Sequence, residues 1–150
     1  GEGPFISEWE GEQAEKLRRA GSEYGAATGR PRRVGPIDLV ATSYGVKLQG
    51  ADCICLTKLD VLSYMTEIPL CVGYKIGQEI VKDFPVTPQL LKAEPVYITM
   101  PGWNTDISKV TQYDKLPKEA RDYIEYIEKY IQCPITHISV GPGRDEIIYR

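Results

Sequence analysis

The sequence predicts an α/β protein in which a mixed sheet is flanked by helices, and three observations carry that prediction. A helix-length segment, residues 38–49, is closed by Gly50 and followed at once by a short apolar run, residues 53–57, of strand character. Two further strands, residues 69–76 and 79–83, flank Gly77-Gln78 as a hairpin turn. An amphipathic helix opening at Pro117 is stopped by Pro134 and leads into a last strand, residues 135–140. Helix followed by strand, repeated, is the pattern of a layered α/β arrangement.

The 150 residues suffice for one core and predict a single domain. A hydrophobic share of 42% and a charged share of 26% are ordinary for a soluble protein, and the net charge of −3 gives no global pull toward nucleic acid or an anionic membrane. No apolar run approaches the ~20 residues needed to cross a bilayer, and no signal-peptide pattern is read. The start, Gly1-Glu2-Gly3 without a methionine, reads as a processed or excised piece. Cys53, Cys55, Cys71 and Cys133 form no Cys-x-x-Cys pair, which predicts reduced, mostly buried thiols in a cytoplasmic protein. With one histidine, His137, no histidine–carboxylate metal cluster can be assembled. Its place inside the last strand reads as a satisfied core histidine.

In chain order, Ser7 is placed to cap a helix from Glu8 to about Ala20, ended by Gly21. In the helix of residues 38–49, Ile37, Val40, Ala41, Tyr44 and Leu48 fall at helical spacing and read as core. Residues 53–57 read as the central strand. Residues 87–91 read as one helical turn, and residues 94–100 as a strand stopped by Pro101-Gly102. Trp103 opens a polar connection as a packing anchor. Pro117 suits a first helical position and Glu119 the positive end of the helix dipole. Leu116, Ala120, Ile124, Ile127 and Ile131 mark the buried stripe, with Tyr123, Tyr126 and Tyr130 as core and rim.

Three stretches carry candidate chemistry. In the first, Ala26, Ala27, Thr28 and Gly29 precede Arg30, Pro31, Arg32 and Arg33. Small residues let the backbone approach a ligand, and guanidinium forks grip carboxylate or phosphate with paired hydrogen bonds. The same composition also fits a basic solvent loop. No basic stripe or interleaved aromatics follow, so no nucleic-acid surface is expected. In the second, the strand ending at Leu56 runs into Thr57, Lys58, Leu59 and Asp60. Charges at the end of a buried strand emerge where open sheets bind ligands. A carboxylate there can accept two parallel bonds from the N1–H and 2-amino group of guanine, while the lysine stem lies over the purine face. A surface ion pair ending a strand is the plain alternative. In the third, Ser139, Val140 and Gly141 end the last strand in a tight turn whose amides and hydroxyl can reach a ligand edge, or which serves as a turn only.

In this order and spacing the three stretches resemble adenylosuccinate synthetase, specifically its C-terminal part. The likeness extends through Gly3-Pro4-Phe5, Gly35 with Asp38, Glu94-Pro95-Val96-Tyr97, Pro101-Gly102-Trp103 and Leu116-Pro117 with Ala120-Arg121. Ala27 stands where that family often has a second threonine, Pro36 where it often has an aromatic residue, and Ile6-Ser7 where it has Pro-Thr. The resemblance implies the C-terminal portion of a larger P-loop-like synthetase fold. It implies a GTP-dependent ligase that joins IMP and L-aspartate to make adenylosuccinate on the way to AMP. It assigns Ala26, Ala27, Thr28, Gly29, Arg30, Pro31 and Arg32 to IMP and aspartate. It assigns Lys58, Leu59, Asp60, Ser139, Val140 and Gly141 to GTP, with Arg32 also near the GTP side. It implies a cytoplasmic homodimer for the intact enzyme. Nothing here matches a phosphate loop, so the resemblance gives this chain no catalytic residue and no metal ligand. Mg2+ and the GTP phosphates would be held elsewhere, and the piece would be inactive alone. A stand-alone guanine-nucleotide or anion-binding module without catalysis fits the same residues.

Overall fold

The computed structural model describes residues 3–150, so Gly1-Glu2, on which part of the expectation of an excised start rests, lies outside the described residues. The helices are α1 (Gly11–Gly21), α2 (Leu39–Gln49), α3 (Thr87–Leu90) and α4 (Lys118–Ile131). The strands are β1 (Ile54–Leu56), β2 (Glu67–Ile76), β3 (Glu79–Val81), β4 (Glu94–Pro101), β5 (Ile135–Ser139) and β6 (Ile147–Tyr149). The expected mixed sheet resolves into two three-stranded sheets, ordered β3-β2-β4 and β1-β5-β6. Packing divides the chain into two units that it enters in turn: the chain to Leu48 with Pro69–Thr99, and Gln49–Ile68 with Met100–Arg150.

In the first unit, β2 and β3 form the predicted antiparallel hairpin, pairing Tyr74 with Val81 and Ile76 with Glu79. Gly77 turns it at φ +63°, a conformation that glycine adopts without penalty. Val40, Cys71, Tyr74 and Leu90 are buried together, with Ile6, Ile76, Val81 and Phe84 packed around them. Burial pushes the Cys71 thiol up to about 11.

Two expectations fail here. The first helix begins at Gly11, not Glu8, and Ser7 is not its cap. The fully buried Ser7 hydroxyl donates to the Pro36 carbonyl at 2.9 Å, and the Trp9 N–H donates to Val34. Long-range bonds have taken the groups a cap would have used. In α2, Leu39 and Val40 are buried, but Tyr44 is 42% and Leu48 68% exposed. The reason lies at the N-terminus of this helix. Asp38 accepts the Ala41 N–H and the Tyr74 hydroxyl, and Cys71 N–H bonds Ile37, so only the first turn is pinned to β2. Tyr44 instead stacks on Phe84 at 4.7 Å.

In the second unit, β1 runs parallel to β5, and β6 runs antiparallel to it. The central strand is therefore β5, and β1 is an edge, against expectation. The unpredicted β6 pairs Ile148 with Ile138. Helix α4 buries Ala120, Tyr123, Ile124, Ile127 and Ile131 as its stripe predicts, although Pro117 sits just outside it. Glu128 on α4 accepts the Ile135 N–H at 2.9 Å and the Arg150 guanidinium at 2.6 Å, tying the helix to the start of β5 and to the residue that follows β6. Trp103 is buried as expected: its ring meets Tyr123 edge-on at 5.9 Å, and its indole N–H donates to Ser63.

The thiols divide evenly. Cys71 and Cys133 are buried, whereas Cys53, just before β1, and Cys55, on the uncovered side of that edge strand, are exposed. His137 is half-buried, not core: Nδ1 lies 2.8 Å from Thr136 Oγ1, and the ring packs edge-on to exposed Tyr149. Among the described residues, no helix is long and apolar enough to cross a membrane.

Candidate functional site

The arginine run folds back as a small hairpin within the first unit. Tyr24 and Pro31 form an antiparallel bridge, the Gly25 N–H donates to Arg30 O at 2.8 Å, and the Arg32 N–H donates to Glu23 O at 3.0 Å. Its tip needs a left-handed residue, which Gly29 supplies at φ +65°. Thr28 Oγ1 accepts the Arg30 N–H at 3.3 Å. Ala26, Ala27, Thr28, Gly29, Arg30, Pro31 and Arg32 are all exposed.

Residues outside the predicted set hold this hairpin. From the last turn of α1, Arg18 Nε donates to the Arg32 carbonyl at 2.8 Å. Glu15 gathers Arg18, Arg19 and the Tyr24 hydroxyl, and the hydrogen bond from Arg19 leads in holding its carboxyl below the usual range. Arg33 donates to Glu8 through Nε at 2.7 Å and to the Gly3 carbonyl at 2.7 Å, with its guanidinium over the Phe5 ring. That leaves a cleft of about 980 Å³ between Gly3-Pro4-Phe5 on one side and Gly25, Thr28, Arg30 and Arg32 on the other. Arg32 already grips a carboxylate, that of Glu23, at 3.0 Å. An exposed pair of this kind is weak and exchangeable. A cleft with guanidinium forks, a hydroxyl and close backbone suits a small dicarboxylate or a phosphate. The spacing of Glu15 to Arg18 and Arg19 on a helix was the available signal for the anchors.

In the second unit the fold brings two predicted stretches together. Lys58 takes a left-handed conformation (φ 61°), which turns the chain out of β1 into a 3-10 helix, Leu59–Tyr64. Its N–H reaches Ser139 Oγ at 3.2 Å across 81 residues of sequence. Ser139 Oγ in turn bonds Gly141 O. Leu59 and Val140 are buried, so their side chains form the floor, and only their backbones are left to face a ligand. Asp60 is half-buried, and its Oδ1 is shielded from solvent with no hydrogen-bond partner. Burial pushes its carboxyl above the usual range, and Glu146 and Asp106 push the same way, against its own backbone N–H and Lys58. A shielded acceptor without a donor is an open valence for a ligand N–H. Sequence reasoning missed Glu146 and Asp106; a lone acidic residue in a loop gives no periodic or motif signal.

Fold and loops together define a mixed α/β protein with two loop sites, one built on arginines and one on Asp60. A family model described as adenylosuccinate synthetase matches residues 1–148, and the chain belongs to that family of GTP-binding ligases of purine biosynthesis. The adenylosuccinate synthetase of Aquifex aeolicus is 46% identical over 99% of this chain, and that of Halothermothrix orenii 45% identical over all of it. A solved structure, that of the fully ligated adenylosuccinate synthetase from Plasmodium falciparum, superposes with a TM-score of 0.94 at 42% identity. It covers 100% of this chain and 37% of its own. The chain spans 35% of the length of the two bacterial relatives.

Proposed function

We propose that the chain is the C-terminal segment of an adenylosuccinate synthetase, a cytoplasmic homodimer when whole, and that the segment is inactive alone. It supplies two substrate surfaces for the GTP-dependent ligation of IMP and L-aspartate. At one surface, Ala26, Ala27, Thr28, Gly29 and Pro31 carry backbone and hydroxyl to IMP and aspartate, and Arg30 and Arg32 take the aspartate carboxylates. At the other, Asp60 accepts the two adjacent N–H groups of guanine, the Lys58 stem lies on the ring face, and Leu59, Ser139, Val140 and Gly141 line its edge. Adenine presents no matching pair of donors, and a site that leaves a buried polar group unpaired with the wrong ligand discriminates strongly.

The observation that carries this reading is the shielded, partnerless oxygen of Asp60 beside the Ser139–Gly141 turn. Among the described residues, no group of three or more His, Cys, Asp or Glu is placed to hold a metal ion. In this reading Mg2+ and the phosphates of GTP are held by the rest of the enzyme, where positioning and charge do most of the work of phosphoryl transfer.

Calorimetric titration with GDP, ADP and IMP, repeated on Asp60→Ala, tests the pocket. GDP binding that ADP does not match and that the substitution abolishes is the expected outcome. Equal affinity for GDP and ADP, or GDP binding untouched by the substitution, refutes it. Adenylosuccinate formed by this chain alone would overturn the claim of inactivity.

A further inference from the structure

Glu146 belongs to neither predicted stretch, yet the turn after β5 is built around it. Its carboxylate accepts the Gly143 N–H at 2.5 Å. Its carbonyl accepts the Val140 N–H at 2.9 Å, and its own N–H donates to Gly143 O at 3.1 Å. A Cβ on Gly141 or on Gly143 would overlap that same carboxylate, so the missing side chains at both positions are what admit it. The turn is therefore wrapped around one acidic side chain. Ser139, at the start of that turn, ties to Lys58 on one side and to Gly141 O on the other.

We propose that Glu146 is a positioning residue for guanine: its carboxylate fixes the Ser139–Gly141 edge in the shape that the base meets beside Asp60. The inference rests on the guanine-pocket reading of Asp60 given above. Glu146 acts through the turn and does not touch the base. Its charge has a second effect. Asp60 is faced by Glu146 and Asp106, which favour its protonated form, and by Lys58 and its own backbone N–H, which favour the ionised form. Removing the Glu146 charge therefore extends ionised Asp60 to lower pH.

The test uses the synthetase that carries this segment, with KM for GTP, IMP and aspartate and kcat measured for wild type, Glu146→Ala, Glu146→Gln and Asp60→Ala. Loss of one charge-assisted hydrogen bond to the turn is expected to raise the GTP KM of Glu146→Ala about tenfold. Saturated kcat and the other two KM values are expected to stay within about twofold. Glu146→Gln keeps an acceptor for the Gly143 N–H and restores most of the GTP affinity. It also moves the acid limb of GTP affinity to lower pH, which a merely structural role would not do. An unchanged GTP KM in Glu146→Ala overturns the proposal, as does an equal fall in every parameter. Should that variant not fold, the pH profile of Glu146→Gln decides, and an unmoved acid limb overturns it. An unchanged GTP KM in Asp60→Ala refutes the pocket reading itself, so the two failures are told apart.

Discussion

Exchanging Asp60 for Asn should make the protein more resistant to heat near neutral pH while costing it guanine, because the same oxygen sets both quantities. In the unfolded chain Asp60 titrates as an ordinary carboxylate; in the fold, burial leads in raising its value. A raised carboxyl contributes no penalty below the unfolded value and loses stability as pH climbs through the folded one. At neutral pH the fold thus carries an ionised, partly desolvated group whose Oδ1 has no partner. An unpaired buried polar atom costs ~1–3 kcal/mol and more when it is charged, so a neutral amide in the same place costs less. Asp60 is only half-buried, so the lower end applies, about 1 kcal/mol, or roughly 2–4 °C in melting temperature for a chain of this size. Asn keeps the shape and drops the charge. Paired thermal melts of wild type and Asp60→Asn from about pH 7 to about pH 4 should show a gap that narrows as the wild-type carboxyl protonates. GDP affinity should fall at least ~tenfold, since Asn turns a donor toward one of the guanine donors. A variant that melts lower than wild type at neutral pH, or a gap that does not change with pH, would refute the account of Asp60 as a strained acceptor.

Two predictions concern the frame around the sites. Trp103→Ala removes a buried ring, its edge contact with Tyr123 and its bond to Ser63, and should cost ~3–5 kcal/mol in denaturant unfolding. A loss under about 1 kcal/mol would show that the ring is not the anchor of that unit. Ser7→Ala leaves the Pro36 carbonyl without its donor at a fully buried position and should cost ~1–3 kcal/mol; an unchanged urea midpoint would argue against it.

What could be read in advance was whatever has a period or a motif. The α4 stripe is a 3.6-residue repeat, the β2–β3 hairpin announces itself by Gly77 between two apolar runs, and both came out as expected. What escaped was decided by residues far apart in sequence. Ser7 looks like a cap until Pro36 is brought against it, 29 residues away. Tyr44 and Leu48 keep helical spacing with Val40, but spacing cannot say that only the first turn of α2 is pinned. The edge position of β1 follows from β6, three residues at the chain end too short to carry a pattern. The same holds at the sites. Arg30, Arg32, Lys58 and Asp60 stand out in the sequence because their chemistry is unusual where they stand. Glu15, Glu23 and Glu146, which hold the turns in place, look like any other surface acid until the fold is known.

The order of strands β1-β5-β6 has a consequence for synthesis on the ribosome. Lys58 and Ser139 stand 81 residues apart, so at ~5–20 residues per second the first half of the pocket leaves the exit tunnel roughly 4–16 s before the second is made. For that interval β1 lacks β5, its one partner strand among the described residues. Its backbone edge is then open to pairing with another nascent chain. The first unit can close once Thr99 emerges, but the second must wait for the last residues of the chain. A stalled or truncated product would therefore carry a folded first unit and an unpaired strand edge, a template for pairing with another chain.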